Sequence, residues 1–321
     1  MKSYMVSRYA SLDAYTPGEQ PQDMEYVKLN TNESPFPPSP KVVEAISSEE
    51  IEKLKLYSDP EGKDLRDAIA KHFGFKRENV LLGNGSDEIL TFAFFAFCAG
   101  EKCVFPDISY GFYPVYAELV GANATVAPLK DDFSVDINDY MNTGKTVIIA
   151  NPNAPTGMAL PVSDVEKIVA SNPDNVVLID EAYVDFGGES AVELVHKYDN
   201  LIVCQTFSKS RSLAGARIGF AIASKDLIAD MNKIKYSLNP YNINRLTLLA
   251  GKASIEDDEY FRKNVQTIIE NRKYTIQELE KRGFDVLPSY ANFVFAKKAG
   301  KSGEEMYLEL KKRGVLIRHF G

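Results

Sequence analysis

Three histidines and three cysteines are all the imidazoles and thiols that 321 residues provide. His72, His196 and His319 are scattered without metal-ligand spacing, so no metal is expected. Cys98, Cys103 and Cys204 form no CxxC pair, and Cys98 and Cys204 lie within apolar runs. Buried, reduced thiols in a cytoplasmic protein account for them better than a disulfide framework. Basic excess is also missing: 37 Lys and Arg against 45 Asp and Glu leave a net charge of −8, which argues against a nucleic-acid-binding surface. No apolar run is long enough to cross a bilayer. The most apolar one, ILTFAFFAFCAG (Ile89 to Gly100), has the length of a buried core helix. The opening MKSYMVSRYASLDAYTPG lacks the apolar centre and small-residue cleavage site of a signal peptide.

What is present is globular: 45% hydrophobic and 26% charged residues, with a length that suggests about two domains. From about residue 40, helix-like and strand-like segments alternate, the signature of an α/β fold. Strand candidates are VLL (80–82), KCVFP (102–106), ATVAPL (124–129), TVIIA (146–150), NVVLID (175–180), LIVCQTF (201–207) and RIGFAIAS (217–224). Between them lie the helical patterns GKDLRDAIAKHFG, SDEILTFAFFAFCAG and PVSDVEKIVAS, with Gly74, Gly100 and Gly121 placed as stops. A largely parallel mixed sheet sandwiched by helices follows. Further on come a long charged helix from about Asp257 to Arg282, the strand candidates NFVFAK and VLIRHF, and the helix SGEEMYLELKKRG between them. The division expected is an extended N-terminal arm (1–39), a large domain (40–255) and a smaller α+β C-terminal domain (256–321). The proline-dense KLNTNESPFPPSP makes the arm irregular.

Ligands of open α/β sheets gather beyond the carboxyl ends of the strands, so the residues after each apolar run carry the most information. TVIIANPNAPTG, taken alone, reads as an ordinary strand-to-helix turn. LLGNGSDE opens a helix at Ser86, where glycines and a helix N-terminus suit an anion, although a plain capping box explains it equally well. VVLIDEAYVDF ends a strand on Asp180 and Glu181. A carboxylate there needs a cation or a protonated heterocycle, or else it caps the next turn. LIVCQTFSKSRSLAGARIGF crowds Thr206, Ser208, Lys209, Arg211 and Arg217 into a small-residue loop. A lysine at the ligand end of a sheet suits Schiff-base chemistry, and Arg217 suits a phosphate. Aldehyde, pyridinium nitrogen and phosphate together describe pyridoxal 5′-phosphate.

Through KLNTNESPFPPSP, LYSDPEG, LLGNGSDE, SYGFYP, NPNAPTG, IDEAYVDF, TFSKSRSLAGARIGF, ANFVFA and GVLIRHF, nearly its whole length, the chain resembles the fold-type I aminotransferases, and more narrowly the histidinol-phosphate aminotransferase family. The resemblance implies that Lys209 forms the Schiff base with the cofactor, that Asp180 pairs with the pyridinium and that Tyr183 hydrogen-bonds the ring hydroxyl. It places Gly85, Ser86 and Asp87 at the cofactor phosphate, with Ser208 and Arg217 opposite, Thr206 nearby and Tyr110 stacked on the ring. Tyr57 matches a tyrosine that reaches the neighbouring subunit's phosphate, which implies a homodimer with shared sites. Tyr15, Asn30, Asn292 and Arg318 fall in motifs used around the substrate.

The implied reaction is a ping-pong transamination of L-histidinol phosphate with 2-oxoglutarate, giving imidazole-acetol phosphate and L-glutamate in histidine biosynthesis. Rival readings are an aromatic aminotransferase or a threonine-phosphate decarboxylase of the same fold, or a non-catalytic cofactor-binding regulator. Two departures stand out. The chain ends at Gly321, where the family continues with a strand bearing a second substrate arginine. Position 154 is alanine, where the family's NPNNPTG loop carries an asparagine that donates to the ring hydroxyl. Tyr183 alone, or Asn151 or Asn153 by a shifted loop path, is expected to take that role.

Overall fold

The computed structural model describes residues 4–320. Seven segments form one sheet: β2 (Val80–Gly83), β3 (Lys102–Pro106), β4 (Asn123–Ala127), β5 (Thr146–Ala150), β6 (Val177–Asp180), β7 (Leu201–Thr206) and β8 (Gly219–Ala223), in the order β2-β8-β7-β6-β5-β3-β4. Only β8 runs against the others. Every residue of β5, β6, β7 and β8 is buried, as their uninterrupted apolar runs require of strands covered on both faces.

Alternation along the strands divides the core in two. Val147, Ile149, Val177, Ile179, Leu201 and Val203 point to one face, under α3 (Lys63–Phe73), α6 (Val162–Ser171) and α8 (Arg245–Ile255). Ile148, Leu178, Ile202, Cys204 and Ala221 point to the other, under α4 (Ser86–Phe97), α5 (Phe112–Val120) and α7 (Lys225–Leu238). The apolar α4 packs in this second layer and buries Ile89, Leu90, Phe92, Ala93 and Phe94. All three cysteines are free and buried.

Several boundaries move for identifiable reasons. The last strand begins at Gly219 rather than Arg217, because Arg217 takes a left-handed φ of 58° that turns the chain. β4 stops at Ala127, before Pro128, which has no N–H for a ladder. NFVFAK and VLIRHF each shrink to two paired residues. β10 (Ala296–Lys297) lies antiparallel to β9 (Asp285–Val286), and β11 (Val315–Leu316) runs parallel to β1 (Val27–Lys28) of the arm. The long helix α9 (Asp258–Lys281) and α10 (Gly303–Lys312), whose Ser302 and Glu305 form a capping box, lie close to their expected positions.

Register gathers the chemistry. Ala150, Asp180 and Cys204 are neighbours across β5, β6 and β7, and Gly219 sits between Thr206 and Gly83. The carboxyl ends of β2, β5, β6 and β7 therefore meet the beginning of β8 along one sheet edge, and the loops leaving these ends carry the candidate residues.

Candidate active site

Asp180 ends β6 and is only 4% exposed. Its Oδ2 accepts from the Tyr113 hydroxyl at 3.0 Å and its Oδ1 from the Ala182 amide at 3.2 Å. Burial pushes its carboxyl up to about 6, against the opposing effect of those two bonds. Among the described residues no cationic side chain pairs with it. Its neighbour Glu181 is also buried, but its oxygens are taken by Ser190, the Ala191 amide and Gln205, which makes it a brace for the loop.

Between β2 and α4 the chain passes through Gly85, with φ 82°. Gly85, not Ser86, is the N-cap of α4 and supplies no side-chain cap; Glu88 turns instead to the Asn84 amide and to Asn242, so the capping box centred on Ser86 is not formed. A Cβ on Gly85 would stand 2.3 Å from Nη2 of Arg217, and one on Gly219 would stand 2.3 Å from the Ser86 nitrogen. Gly219 is thus required by close approach to backbone, and Gly85 is favoured by its positive φ, with the Arg217 tip crowding any side chain there. Arg217 Nη2 donates to Asp87 Oδ2 at 2.8 Å, while the Tyr110 hydroxyl donates to Asp87 Oδ1 at 2.6 Å. Asp87 is therefore the post that holds Arg217 and Tyr110 beside the helix start. The Tyr110 ring meets Tyr113 edge-on at 5.7 Å, which links this cluster to Asp180.

Lys209 lies in the loop after β7 and is half-buried. Its Nζ donates to the Thr31 carbonyl at 2.9 Å and sits 5.7 Å from the centre of the Tyr183 ring. Burial lowers its pKa to about 8, with the Arg217 charge adding to the effect and the Glu33 and Asp87 charges opposing it. Thr206 Oγ1 lies 2.9 Å from Ser208 Oγ and accepts from the Ser208 amide at 3.1 Å, which fixes the turn leading to Lys209. The Tyr183 oxygen accepts from Asn32 Nδ2 at 3.1 Å, and burial raises its phenol to about 12.

The model of the aminotransferase class I and II family matches residues 24–321. The chain belongs to the class I and II aminotransferases. It is 50% identical to the histidinol-phosphate aminotransferase of Brachyspira hyodysenteriae, in an alignment covering all of this chain and 91% of that protein. The fold is that of solved relatives. The histidinol-phosphate aminotransferase of Clostridium acetobutylicum superposes with a TM-score of 0.84 at 28% identity, over 91% of this chain and 88% of that one. The enzyme from Sinorhizobium meliloti, solved in complex with pyridoxal 5′-phosphate, gives 0.83 at 27% identity over 92% and 83%.

In this aminotransferase the remaining predicted residues divide into two sets. Tyr15 stacks on Phe112 at 4.2 Å and stands 6.3 Å from the Tyr110 ring, so the arm touches the cluster. Asn292 Nδ2 donates to the Asn32 carbonyl at 2.9 Å, and Asn30 Nδ2 donates to the Glu19 carbonyl at 2.9 Å; the Oδ1 atom of each is buried without a partner. Arg318 is exposed, and its charge is felt at the Tyr183 phenol. Tyr57 is 80% exposed and stacks on Tyr241 at 4.5 Å, and among the described residues no side-chain hydrogen bond joins it to the cluster. Among the described residues no group of three or more potential metal ligands occurs, and no helix is long and apolar enough to cross a membrane.

The asparagines of the NPNAPTG loop are already bonded. Asn151 exchanges two bonds with the Leu160 backbone, and Asn153 is held by the Ile108 carbonyl, Thr156 and Ser109. Neither amide is free to replace the one absent at Ala154. Sequence reasoning passed over three contributors: Thr31, Asn32 and Tyr113. All lie inside the motifs KLNTNESPFPPSP and SYGFYP, but which member of a motif faces the lysine depends on the path of the chain.

Proposed function

We infer that the chain transfers the amino group of L-histidinol phosphate to 2-oxoglutarate, giving imidazole-acetol phosphate and L-glutamate, with pyridoxal 5′-phosphate as its cofactor. The observation that carries this reading is the buried Asp180 carboxylate without a cation, facing the same sheet edge as a lysine of lowered pKa. A protonated ring nitrogen is the partner Asp180 lacks, an aldehyde is the partner for a neutral Lys209 amine, and a phosphate suits the Arg217 guanidinium beside the uncapped start of α4.

When bound, the cofactor supplies an electron sink for the carbanion that forms as the substrate α-proton leaves. The chain's own residues prepare for this. Asp180 keeps the ring nitrogen cationic through an adjacent opposite charge. Lys209 would hold the aldehyde, and its amine, of lowered pKa, is the group placed to take and return the substrate proton as general base and acid. Tyr183 offers its hydroxyl to the ring, and Tyr110 lends its aromatic face. Gly85, Ser86, Thr206, Ser208 and Arg217 would hold the phosphate, with Asp87 orienting Arg217. Tyr15, Asn30, Asn292 and Arg318 surround the amino donor; the unpartnered oxygens of Asn30 and Asn292 leave two acceptors for it.

The exposed Tyr57, outside this cluster, supports a homodimer in which it serves the partner's phosphate. The division into an arm (1–39), a large domain (40–255) and a small C-terminal domain (256–321) is part of the same reading, as is a cytoplasmic setting. The test is twofold. Incubation with pyridoxal 5′-phosphate is expected to give a visible absorbance band that Lys209→Ala abolishes. Half-reactions with L-histidinol phosphate, phenylalanine and threonine phosphate, monitored for carbon dioxide, then rank the donors. No band in the unaltered protein defeats the cofactor reading. Faster turnover of phenylalanine, or carbon dioxide released from threonine phosphate, replaces the substrate.

A further inference from the structure

We propose that Asn32 is a positioning residue for Tyr183, supplying from the N-terminal arm the amide that the NPNAPTG loop lacks at Ala154. The inference rests on the cofactor reading above and deepens it.

The geometry is specific. Asn32 Nδ2 donates to the Tyr183 oxygen at 3.1 Å, and it is the only side-chain amide on that phenol among the described residues. An oxygen that accepts one bond keeps its own proton for another acceptor, so this contact orients the Tyr183 hydroxyl as a donor. The ring is fixed independently by the edge of Phe293 at 5.0 Å.

Asn32 is itself held on both sides. Its carbonyl accepts from Asn292 at 2.9 Å, and the preceding carbonyl, of Thr31, accepts from Lys209 at 2.9 Å. Thr31 and Lys28 both bind the Glu33 carboxylate, at 2.7 Å each. Asn32 adopts a φ of 56°, a left-handed conformation that asparagine tolerates better than most residues. That conformation joins the two contacts. It allows one short segment to place a carbonyl on the lysine and an amide on the tyrosine.

Neither asparagine of the loop competes for the role. Both ends of the Asn151 amide are taken by Leu160, and Asn153 is committed to Ile108, Thr156 and Ser109. The alanine methyl at 154 offers no donor. An amide on the phenol oxygen spreads charge away from it, which strengthens the bond the phenol donates in turn. A stronger donor to the ring oxygen lowers the proton affinity of the lysine-bound cofactor, the effect that an asparagine at 154 would have directly.

The test reads protonation rather than turnover. Asn32→Ala and Asn32→Gly both remove the amide, and glycine does so without strain at this φ. The charged and titratable groups acting on Tyr183 are Asp180, Lys209, Tyr15 and Arg318, and all are retained. In protein loaded with pyridoxal 5′-phosphate, the visible band is expected to titrate about half to one unit higher in either variant. Adding Ala154→Asn is expected to bring it back, and Asn32→Gly in a Tyr183→Phe background is expected to move nothing further. In cofactor-free protein carrying 3-fluorotyrosine at position 183, ¹⁹F titration is expected to show a raised phenol pKa in Asn32→Gly.

An unmoved visible band, an equal shift without the Tyr183 hydroxyl, or an unmoved fluorophenol overturns the inference while leaving the cofactor reading intact. No visible band in the unaltered protein overturns both.

Discussion

The ammonium of Lys209 donates to the carbonyl of Thr31, 2.9 Å away across 178 positions of sequence, and burial brings its pKa down to about 8 from an ordinary 10.5. The neutral amine is the nucleophile. Capture of pyridoxal 5′-phosphate by the cofactor-free protein is therefore expected to accelerate as pH rises through about 8 and to level off above it. Stopped-flow absorbance measures the profile; acceleration that continues to pH 10 would mean that the lysine titrates as a free one.

Asp180 costs stability wherever its buried carboxyl is ionised. Its carboxyl is raised from 3.8 to about 6, so the stability it contributes in cofactor-free protein is fully present below the unfolded pKa and is lost as pH rises through about 6. Asp180→Asn removes that cost. Cofactor-free variant is expected to be about 2 to 3 kcal/mol more stable than the unaltered protein at pH 8, with the difference falling to about 0.5 kcal/mol at pH 4. Transamination is expected to fall by about two to four orders of magnitude. Denaturant melts at the two pH values, beside a single-turnover assay, check both halves.

At Gly85 the φ of 82° disfavours any side chain, and an added Cβ would stand 2.3 Å from Nη2 of Arg217. Gly85→Ala is expected to cost about 1 to 2 kcal/mol of stability and to push the guanidinium off Asp87. Binding of pyridoxal 5′-phosphate should weaken by about tenfold to a hundredfold, while pyridoxal, which has no phosphate, binds as before. Equal weakening of both ligands would place Arg217 away from the phosphate.

Tyr57 gives a test of shared sites. Lys209→Ala and Tyr57→Ala are each expected to be severely impaired alone. Unfolded together and refolded, they are expected to recover activity, because each hybrid dimer then contains one site with both native residues. Recovery absent despite proven hybrid formation would show that Tyr57 serves its own subunit.

The parts of this design that lie within one strand and its following loop were legible in advance. Uninterrupted β-branched runs such as TVIIA and VVLID suit strands buried on both faces, and their carboxyl ends in a parallel sheet face the ligand. Asp180 and Lys209 stand at or just after such ends, while Arg217 precedes β8 on the same edge. Ambiguity remained where a local pattern fits two geometries. S-D-E-I at Ser86 reads as a cap, but the cap is Gly85 at a φ of 82°, and Glu88 is drawn to the Asn84 amide and Asn242 instead of closing a box. Similarly, NFVFAK reads as a full strand but pairs over two residues only, because β9 offers no longer partner.

By itself the sequence determined the parallel α/β framework, the residues at its strand ends and, through motifs running nearly the whole chain, the family. Tertiary structure alone decided that the arm enters the lysine site through Thr31 and Asn32, that Tyr113 rather than a cation braces Asp180, and that the two loop asparagines near Ala154 are already occupied. The reason is physical. Hydrophobic periodicity records which face of a segment is buried, whereas a hydrogen bond between a carbonyl and a side chain 178 residues apart leaves no periodic trace and exists only once both segments are packed.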